Sequence, residues 1–396
     1  MTDVLIAIDS FPPDFTGAGL RALRMCERIS KKSKVSFKVL CRNKRNIRET
    51  TGNLEVQRMK TIKEQGISFP FYLFQTLWKT NQYLIKNRKQ IDIIHFFSFS
   101  WMNRLIMLSN TLFYKKKTIL EVTLEGYDDP TSLISTGKRN KLMKYLTKFL
   151  LKRIDLFIAP SKKSVESCLA QGIKENKVVI MPRPVDEKTF ASIPFSRKNK
   201  LRKKLGLPNK FILLNIGMMY PRKNQLFLIK CLELLHDQNI ILVLIGPTDK
   251  GEENREYYAK LKKYVSDKSL KNNVIFLNEK KNINEYLLAS DLFVFSSLAE
   301  GFPNVIVEAI MSGLPFVTLQ LDVIEDFLSS EIGVMINNID KTEVKSQQEF
   351  AHVIKRIYNK KIVLNRNQIR KYGIKLFSAE KIDNMYLEFY SNLVQK

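Results

Sequence analysis

The chain is expected to be an α/β protein with two successive domains, each a parallel sheet wrapped by helices. Three features predict this. A length of 396 residues exceeds what one core ordinarily organises. Short apolar, β-branched runs alternate with helical patterns from end to end, which is the rhythm of βαβ units. That rhythm breaks once, over residues 183–208, where Pro, Lys and Arg crowd together without a long periodic pattern, and then restarts.

The elements follow in order. In the first half, strands are expected at residues 4–9, 35–41, 54–59, 91–97, 118–124, 156–160 and 177–181, with helices between most of them, for example over 20–31 and 138–153. In the second half, strands are expected at 211–217, 240–246, 274–277, 292–296, 315–318 and 333–336. The tail carries Ile382, Tyr386, Phe389, Tyr390 and Leu393 at helical spacing, so a closing helix is expected there. The resulting limits are residues 1–190 and 191–375 for two Rossmann-like domains and 376–396 for the closing helix. In such sheets ligands bind outside the carboxyl ends of the strands. The loops that follow those ends are therefore where chemistry is sought.

Composition narrows the class. A hydrophobic content of 44% beside 27% charged residues is that of a soluble globular protein, and no apolar run is long enough to span a bilayer. The start, MTDVLIAIDSFPPDF, has neither a positive leader nor a long apolar stretch. It reads as a first strand rather than a signal peptide. Cys26, Cys41, Cys168 and Cys231 are scattered, without a C-x-x-C, and the chain has three histidines. Free thiols in a reducing cytoplasm are expected, with no metal site. The net charge of +27 is uneven: residues 1–185 carry 34 basic against 15 acidic side chains, and the remaining 211 carry 32 against 24. The first half is thus the one suited to an anionic partner.

Three loops point to a diphosphate. FPPDFTGAGLR, residues 11–21, leaves the first strand, and Gly17 and Gly19 permit close backbone approach to an anion. The third position of a G-x-G-x-x-G is Ala22 here. GMMYPRKNQLFLI, residues 217–229, leaves the first strand of the second half. Arg222 and Lys223 stand near its helix start, where positive charge opposes the helix dipole and a bound anion would justify it. AEGFPNVIVEAIMSGLP, residues 299–315, carries Glu300 before a helix opened by Pro303, and Glu308 inside it. Backbone N–H groups around Asn304 and Val305 suit a phosphate oxygen, and two spaced carboxylates can each accept hydroxyl hydrogen bonds from a sugar. Taken singly, each loop is also read as an ordinary turn, and Glu308 as a solvent-facing helix residue.

Together, DLFVFSSLAEGFPNVIVEAIMSGLPFV, GMMYPRKNQ, IAPSKKSVESCLAQGI with KVVIMPRPVDEKTF, and FPPDFTGAGLRA resemble the retaining nucleotide-sugar glycosyltransferases of family four, the group 1 glycosyltransferases of GT-B fold. The resemblance covers essentially the whole chain. It implies two Rossmann-like domains facing across a cleft, with a C-terminal helix returning to the first. It implies a metal-independent transferase without a cofactor, using a UDP- or GDP-sugar as donor and retaining anomeric configuration. By the same resemblance Glu300 contacts the transferred sugar, Glu308 the ribose, Arg222 and Lys223 the diphosphate, Gly17 and Gly19 the phosphate by backbone, and Gly301, Phe302, Pro303, Asn304 and Val305 the sugar and phosphate. Where many members carry a histidine after a first-domain strand, TILEVTLEGYDDP places Glu125, which is therefore expected near the reacting centre. His95, in IDIIHFF, is read as part of a strand end.

The acceptor is expected on the basic first domain, as a lipid-linked or oligosaccharide glycan. The helix KRNKLMKYLTKFLLKR and the run FPFYLFQTLW suit an anionic membrane surface, and both are equally read as ordinary core packing with a solvated lysine face. A peripheral enzyme at the inner face of the plasma membrane, building capsule, O-antigen or exopolysaccharide, is the expectation. The charge alone would also suit nucleic acid, but no nucleic-acid motif accompanies it. A second alternative is a catalytically inactive relative that binds sugar nucleotides as a partner protein, and a third is a sugar-nucleotide epimerase or phosphorylase on the same fold.

Overall fold

The computed structural model describes all residues except 1, 15–16, 44–45, 52–53, 61–68, 124–128, 137–140, 191–194, 301, 337–343 and 396. The chain divides into two compact units: Met1–Pro182 with Ile382–Lys396, and Arg183–Lys381.

The first unit is built on eight strands: β1 (Thr2–Ile8), β2 (Val35–Asn43), β3 (Ile47–Thr51), β4 (Leu54–Lys60), β5 (Ile93–Phe97), β6 (Lys117–Glu121), β7 (Leu156–Ala159) and β8 (Val178–Ile180). Their order in the sheet is β3-β4-β2-β1-β5-β6-β7-β8. All neighbours are parallel except β3, which pairs antiparallel with β4. β3 reads IRETT, alternating half-buried with exposed. A short charged edge strand of this kind lacks an apolar pattern to announce it, and the sequence reading omits it. The central β5, IIHFF, is buried throughout, as parallel strands covered on both faces must be.

Side chains of β1 alternate between the two faces. Val4, Ile6 and Ile8 pack with the helix Gly17–Lys32 and with Ile382, Tyr386 and Tyr390 of the closing helix. Leu5 and Ala7 pack on the opposite face with the helices Phe69–Asn87, Trp101–Ser109 and Lys141–Arg153. Among the described residues, no helix is long and apolar enough to cross a membrane.

The second unit holds a six-stranded parallel sheet: β9 (Phe211–Ile216), β10 (Ile240–Ile245), β11 (Val274–Leu277), β12 (Leu292–Phe295), β13 (Phe316–Leu319) and β14 (Gly333–Ile336), in the order β11-β10-β9-β12-β13-β14. A helix, Phe195–Leu205, lies within the stretch where the sequence shows no periodic apolar pattern. Cations hold it in place. Lys198 Nζ and Arg202 Nη2 meet the two oxygens of Asp291 at 2.5 and 2.6 Å, and Arg202 Nε donates to the Ala289 carbonyl at 2.9 Å. Burial, opposed by Asp291, lowers the Lys198 ammonium to about 8. The segments that lead into and out of this unit run side by side: Val185 N–H donates to Phe377 O at 2.9 Å, and Ala379 N–H to Val185 O at 3.2 Å.

The closing helix Ala379–Gln395 is fixed to the first unit by polar contacts as well as apolar ones. Arg28 makes two hydrogen bonds, at 2.7 and 2.8 Å, to the fully buried Asp383. Tyr386 Oη donates to Glu121 Oε2 at 2.8 Å, and His95 Nδ1 lies 2.9 Å from Tyr390 Oη.

Candidate active site

β9 and β12 are neighbours in the second sheet, although β10 and β11 lie between them in the chain. The chain winds outward from β9 to one edge, returns beside β9 as β12, and winds outward to the other edge. That reversal is the topological switch point, where the loops diverge and leave room for a ligand.

Both loops at the switch point are tightly built. After β9, Gly217 donates its N–H to Ile245 O at 2.9 Å. A Cβ on Gly246 would lie 2.0 Å from the Gly217 carbonyl oxygen, so glycine is required at 246. Pro221–Lys223 form one 3₁₀ turn, which ends at Asn224 in the left-handed region with φ of 54° before the helix Gln225–Leu235 begins. Asparagine tolerates that conformation better than most residues. After β12, Ser296 Oγ donates to the carbonyls of Lys223 and Asn224 at 3.1 and 2.9 Å. Leu298 N–H donates to Arg222 O at 2.8 Å. The two loops are thereby sewn together by their backbones.

This stitching brings three predicted residues onto one point. Lys223 Nζ lies 2.5 Å from Glu300 Oε1, Arg222 Nη1 lies 3.3 Å from it, and Ser297 Oγ donates to it at 2.6 Å. All three contacts converge on Oε1; among the described residues, Oε2 accepts no hydrogen bond. Arg222 also donates to the Ala299 carbonyl. Lys223 Nζ sits 5.8 Å from the Phe295 ring centroid, within cation–π range. Glu300 is 10% exposed and Lys223 18%, whereas Arg222 is 44% exposed. Two cations share one carboxylate, so the cluster keeps a net positive charge and its more exposed member faces water. Ser297 is a member that sequence reasoning missed; its place directly after a strand end was the available signal.

Beyond Glu300, Phe302 and Pro303 are buried. The Arg183 guanidinium lies 5.4 Å from the Phe302 ring centroid. Pro303 precedes the helix Asn304–Met311. Asn304 N–H already donates to Phe302 O at 3.0 Å, and Ile306 N–H to Pro303 O at 3.0 Å. The expected array of open N–H groups at this helix start is thus partly occupied by local turns. Val305 and Glu308 are half-buried in the same helix. Gly301 lies outside the described residues, as does Glu125.

In the first unit, Gly17 opens the helix Gly17–Lys32. A Cβ there would meet nothing within 4 Å, and its φ is not positive. The chain's own packing therefore does not demand glycine at this place, although glycine in a helix costs roughly 0.5–1 kcal/mol relative to alanine. Gly19, two residues on, is buried. The segment before them is held by Arg58 of β4, 1% exposed, which donates to Phe11 O at 3.0 Å and to the Pro12 carbonyl and pairs with Glu49 at 2.7 Å. No local pattern marks Arg58; its role follows from the pairing of β4 beside β2.

A second carboxylate cluster lies in this unit. Glu121, at the end of β6, is 2.7 Å from Arg21 Nη2, 3.5 Å from His95 Nε2 and bonded by Tyr386. Burial alone would raise its carboxyl, but Arg21, His95 and the Tyr386 hydroxyl outweigh this and hold it at about 2. Burial pushes the His95 imidazole below its ordinary range.

Comparison with known proteins places these features. The pattern of the glycosyl transferases group 1 matches residues 197–376, and that of glycosyltransferase family 4 matches residues 15–189. Among curated proteins, the chain is 27% identical over 264 residues to the UDP-Gal:alpha-D-GlcNAc-diphosphoundecaprenol alpha-1,3-galactosyltransferase of Escherichia coli, covering 63% of this chain and 64% of that one. It is 28% identical over 247 residues to the capsular polysaccharide biosynthesis glycosyltransferase CapH of Staphylococcus aureus, covering 61% of each. These alignments span slightly less than two thirds of the relatives. The crystal structure of Anabaena HepE in complex with UDP superposes with a TM-score of 0.75 at 18% identity, over 99% of this chain and 100% of that one. The chain belongs to the group 1, family 4 glycosyltransferases and has their GT-B fold of two parallel-sheet domains.

Proposed function

We propose that the protein transfers a sugar from a UDP-sugar to a lipid-linked glycan, in the assembly of a bacterial cell-surface polysaccharide or glycolipid. The observation that carries this reading is the Arg222–Lys223–Glu300 cluster at the switch point. The relatives named above, which act on a diphosphoundecaprenol-linked sugar or in capsule synthesis, support the acceptor and the setting. The UDP bound to HepE supports the nucleotide.

In this reading the bond between the sugar C1 and the diphosphate oxygen breaks, and negative charge grows on the leaving diphosphate. Arg222 and Lys223 stabilise that charge from fixed positions. The acceptor oxygen forms the new bond on the face the diphosphate leaves, so configuration is retained, and its proton passes to the departing phosphate oxygen. Glu300, pinned through Oε1, offers Oε2 to a sugar hydroxyl. Glu308 takes the ribose, Gly17 and Gly19 bring backbone to the phosphate, and residues 301–305 line the donor. Glu125 is assigned to the reacting sugar or the acceptor. Because two side chains supply the positive charge, activity is expected to survive EDTA. The protein is read as acting peripherally at the inner membrane face.

The test is thermal shift against UDP-, GDP- and ADP-sugars, repeated with Lys223→Ala. A donor at one hundred times its Kd stabilises by about 2.7 kcal/mol. The reading predicts a shift with UDP-sugars that Lys223→Ala largely removes; a shift unchanged by the substitution contradicts it.

A further inference from the structure

The helix Phe69–Asn87 is inside out. Its buried face carries Tyr72, Thr76, Thr80, Tyr83 and Leu84. Its exposed face carries Phe71, Phe74, Trp78 and Ile85, each about 60% exposed. The spacing of these residues puts them on one stripe. Ordinary solubility would place the aromatics inward and the threonines outward, so the outward stripe calls for a partner.

The stripe continues onto neighbouring elements. Phe69–Asn87 packs against Trp101–Ser109, which packs against Lys141–Arg153, and all three cover the same face of the first sheet. The turn Asn110–Tyr114 adds Leu112 and Phe113, 53% and 71% exposed. Lys141–Arg153 adds Leu142 and Tyr145, both above 70% exposed. Residues 69–90, 101–117 and 141–153 together hold thirteen Lys and Arg and no Asp or Glu. Three adjoining segments that expose apolar side chains and carry no acidic residue are complementary to an anionic bilayer, where aromatics enter the interface and cations meet phosphates. A protein partner would ordinarily be matched by a rim of mixed charge.

Within this face lies a cleft of about 790 Å³. Ile85 and Phe113 form its apolar part, and Arg88, Lys89 and Lys116 its basic part. Tyr114 Oη donates to Asn81 Oδ1 across its floor at 3.0 Å.

We propose that this helical face of the first unit docks the protein on an anionic lipid bilayer, with the Arg88–Lys89–Lys116 cleft receiving a lipid headgroup phosphate. It deepens the membrane setting given above and rests on that reading, but it names the surface and the lipid chemistry. Docking here does not use the Arg222–Lys223–Glu300 cluster, so the two are separable by experiment.

The test is flotation of the full chain with phosphatidylglycerol-rich vesicles and with pure phosphatidylcholine vesicles, at low and high salt. UDP-sugar thermal shift serves as the check on folding and donor binding. The wild type is expected to float with anionic vesicles only, and to be released by salt. Arg88→Gln with Lys89→Gln and Lys116→Gln should lower partition roughly a hundredfold. Phe74→Ser with Trp78→Ser and Phe113→Ser should abolish flotation with the UDP-sugar shift unchanged. Wild type that stays unbound with anionic vesicles, or variants that float as well as wild type, would overturn the proposal. So would a self-associated wild type that the aromatic substitutions convert to monomer without any flotation; the face would then belong to a second copy. Wild type that does not float although it binds donor sinks this inference alone, whereas wild type that floats but shows no UDP-sugar shift sinks the transferase reading alone.

Discussion

Two carboxylates, Glu300 and Glu121, have nearly the same partners and opposite surroundings. Glu300 meets Lys223, Arg222 and a serine hydroxyl; Glu121 meets Arg21, His95 and a tyrosine hydroxyl. Around Glu300 the arginine is 44% exposed; around Glu121 it is 13% exposed, and His95 and Tyr386 are sealed. A sealed cluster has no room to exchange partners, so its charges hold the closing helix to the first sheet. An open one can hand its cations to an incoming anion. The composition of a charged cluster therefore says little about its task, and its access to solvent says much.

The largest effect that would test this contrast is on stability. Glu121→Ala leaves Arg21, which is 13% exposed, without its carboxylate, and breaking a pair that is mostly out of water costs about 3 kcal/mol. Urea denaturation should show that loss, with the UDP-sugar shift of the remaining folded protein intact. The matching change in the open cluster, Lys223→Ala, should behave the other way round. Turnover is expected to fall on the order of 10²–10³-fold, with Tm nearly unchanged.

The acid response separates the clusters further. Glu121 is lowered from its ordinary 4.5 to about 2 in the folded chain. Its contribution is therefore fully present above the unfolded value and is lost as pH falls through the folded one. A shift of this size corresponds to roughly 3 kcal/mol. Urea titrations at descending pH should find the advantage of wild type over Glu121→Gln shrinking below about pH 4.5. If that advantage stayed constant with pH, Glu121 would not be the ionised centre of the sealed cluster.

The smallest effect concerns Gly17. Because a Cβ there meets nothing within 4 Å, Gly17→Ala should stabilise the chain by about 0.4–1 kcal/mol while weakening donor binding. A gain in stability without a loss of affinity would remove Gly17 from the donor loop.

Much of this was legible in the sequence, for definable reasons. Parallel strands buried on both faces, such as IILVLI in β10, announce themselves as continuous apolar runs. The open cluster was legible because its members sit on loops directly after strand ends, where Arg222, Lys223 and Glu300 have no packing reason to be. The helix Phe195–Leu205 was not legible, because Lys198 and Arg202 are buried by pairing with Asp291 some 90 residues away rather than by apolar periodicity. Arg58 and Glu121 were missed for the same reason: their partners are distant in the chain, and a charged residue in a strand reads as solvated until the pairing is seen. The run FPFYLFQTLW showed its apolar content but not its direction; only the fold reveals that its threonines and tyrosines face inward and its largest aromatics outward.

The central claim is that the donor diphosphate replaces solvent at Arg222 and Lys223 while Glu300 keeps its place. A crystal structure of the protein with UDP-sugar tests it most directly. The account predicts diphosphate oxygens within hydrogen-bond distance of the Arg222 guanidinium and Lys223 Nζ, with a sugar hydroxyl on Glu300 Oε2. Diphosphate bound away from both cations, with the Lys223–Glu300 pair untouched, would contradict it.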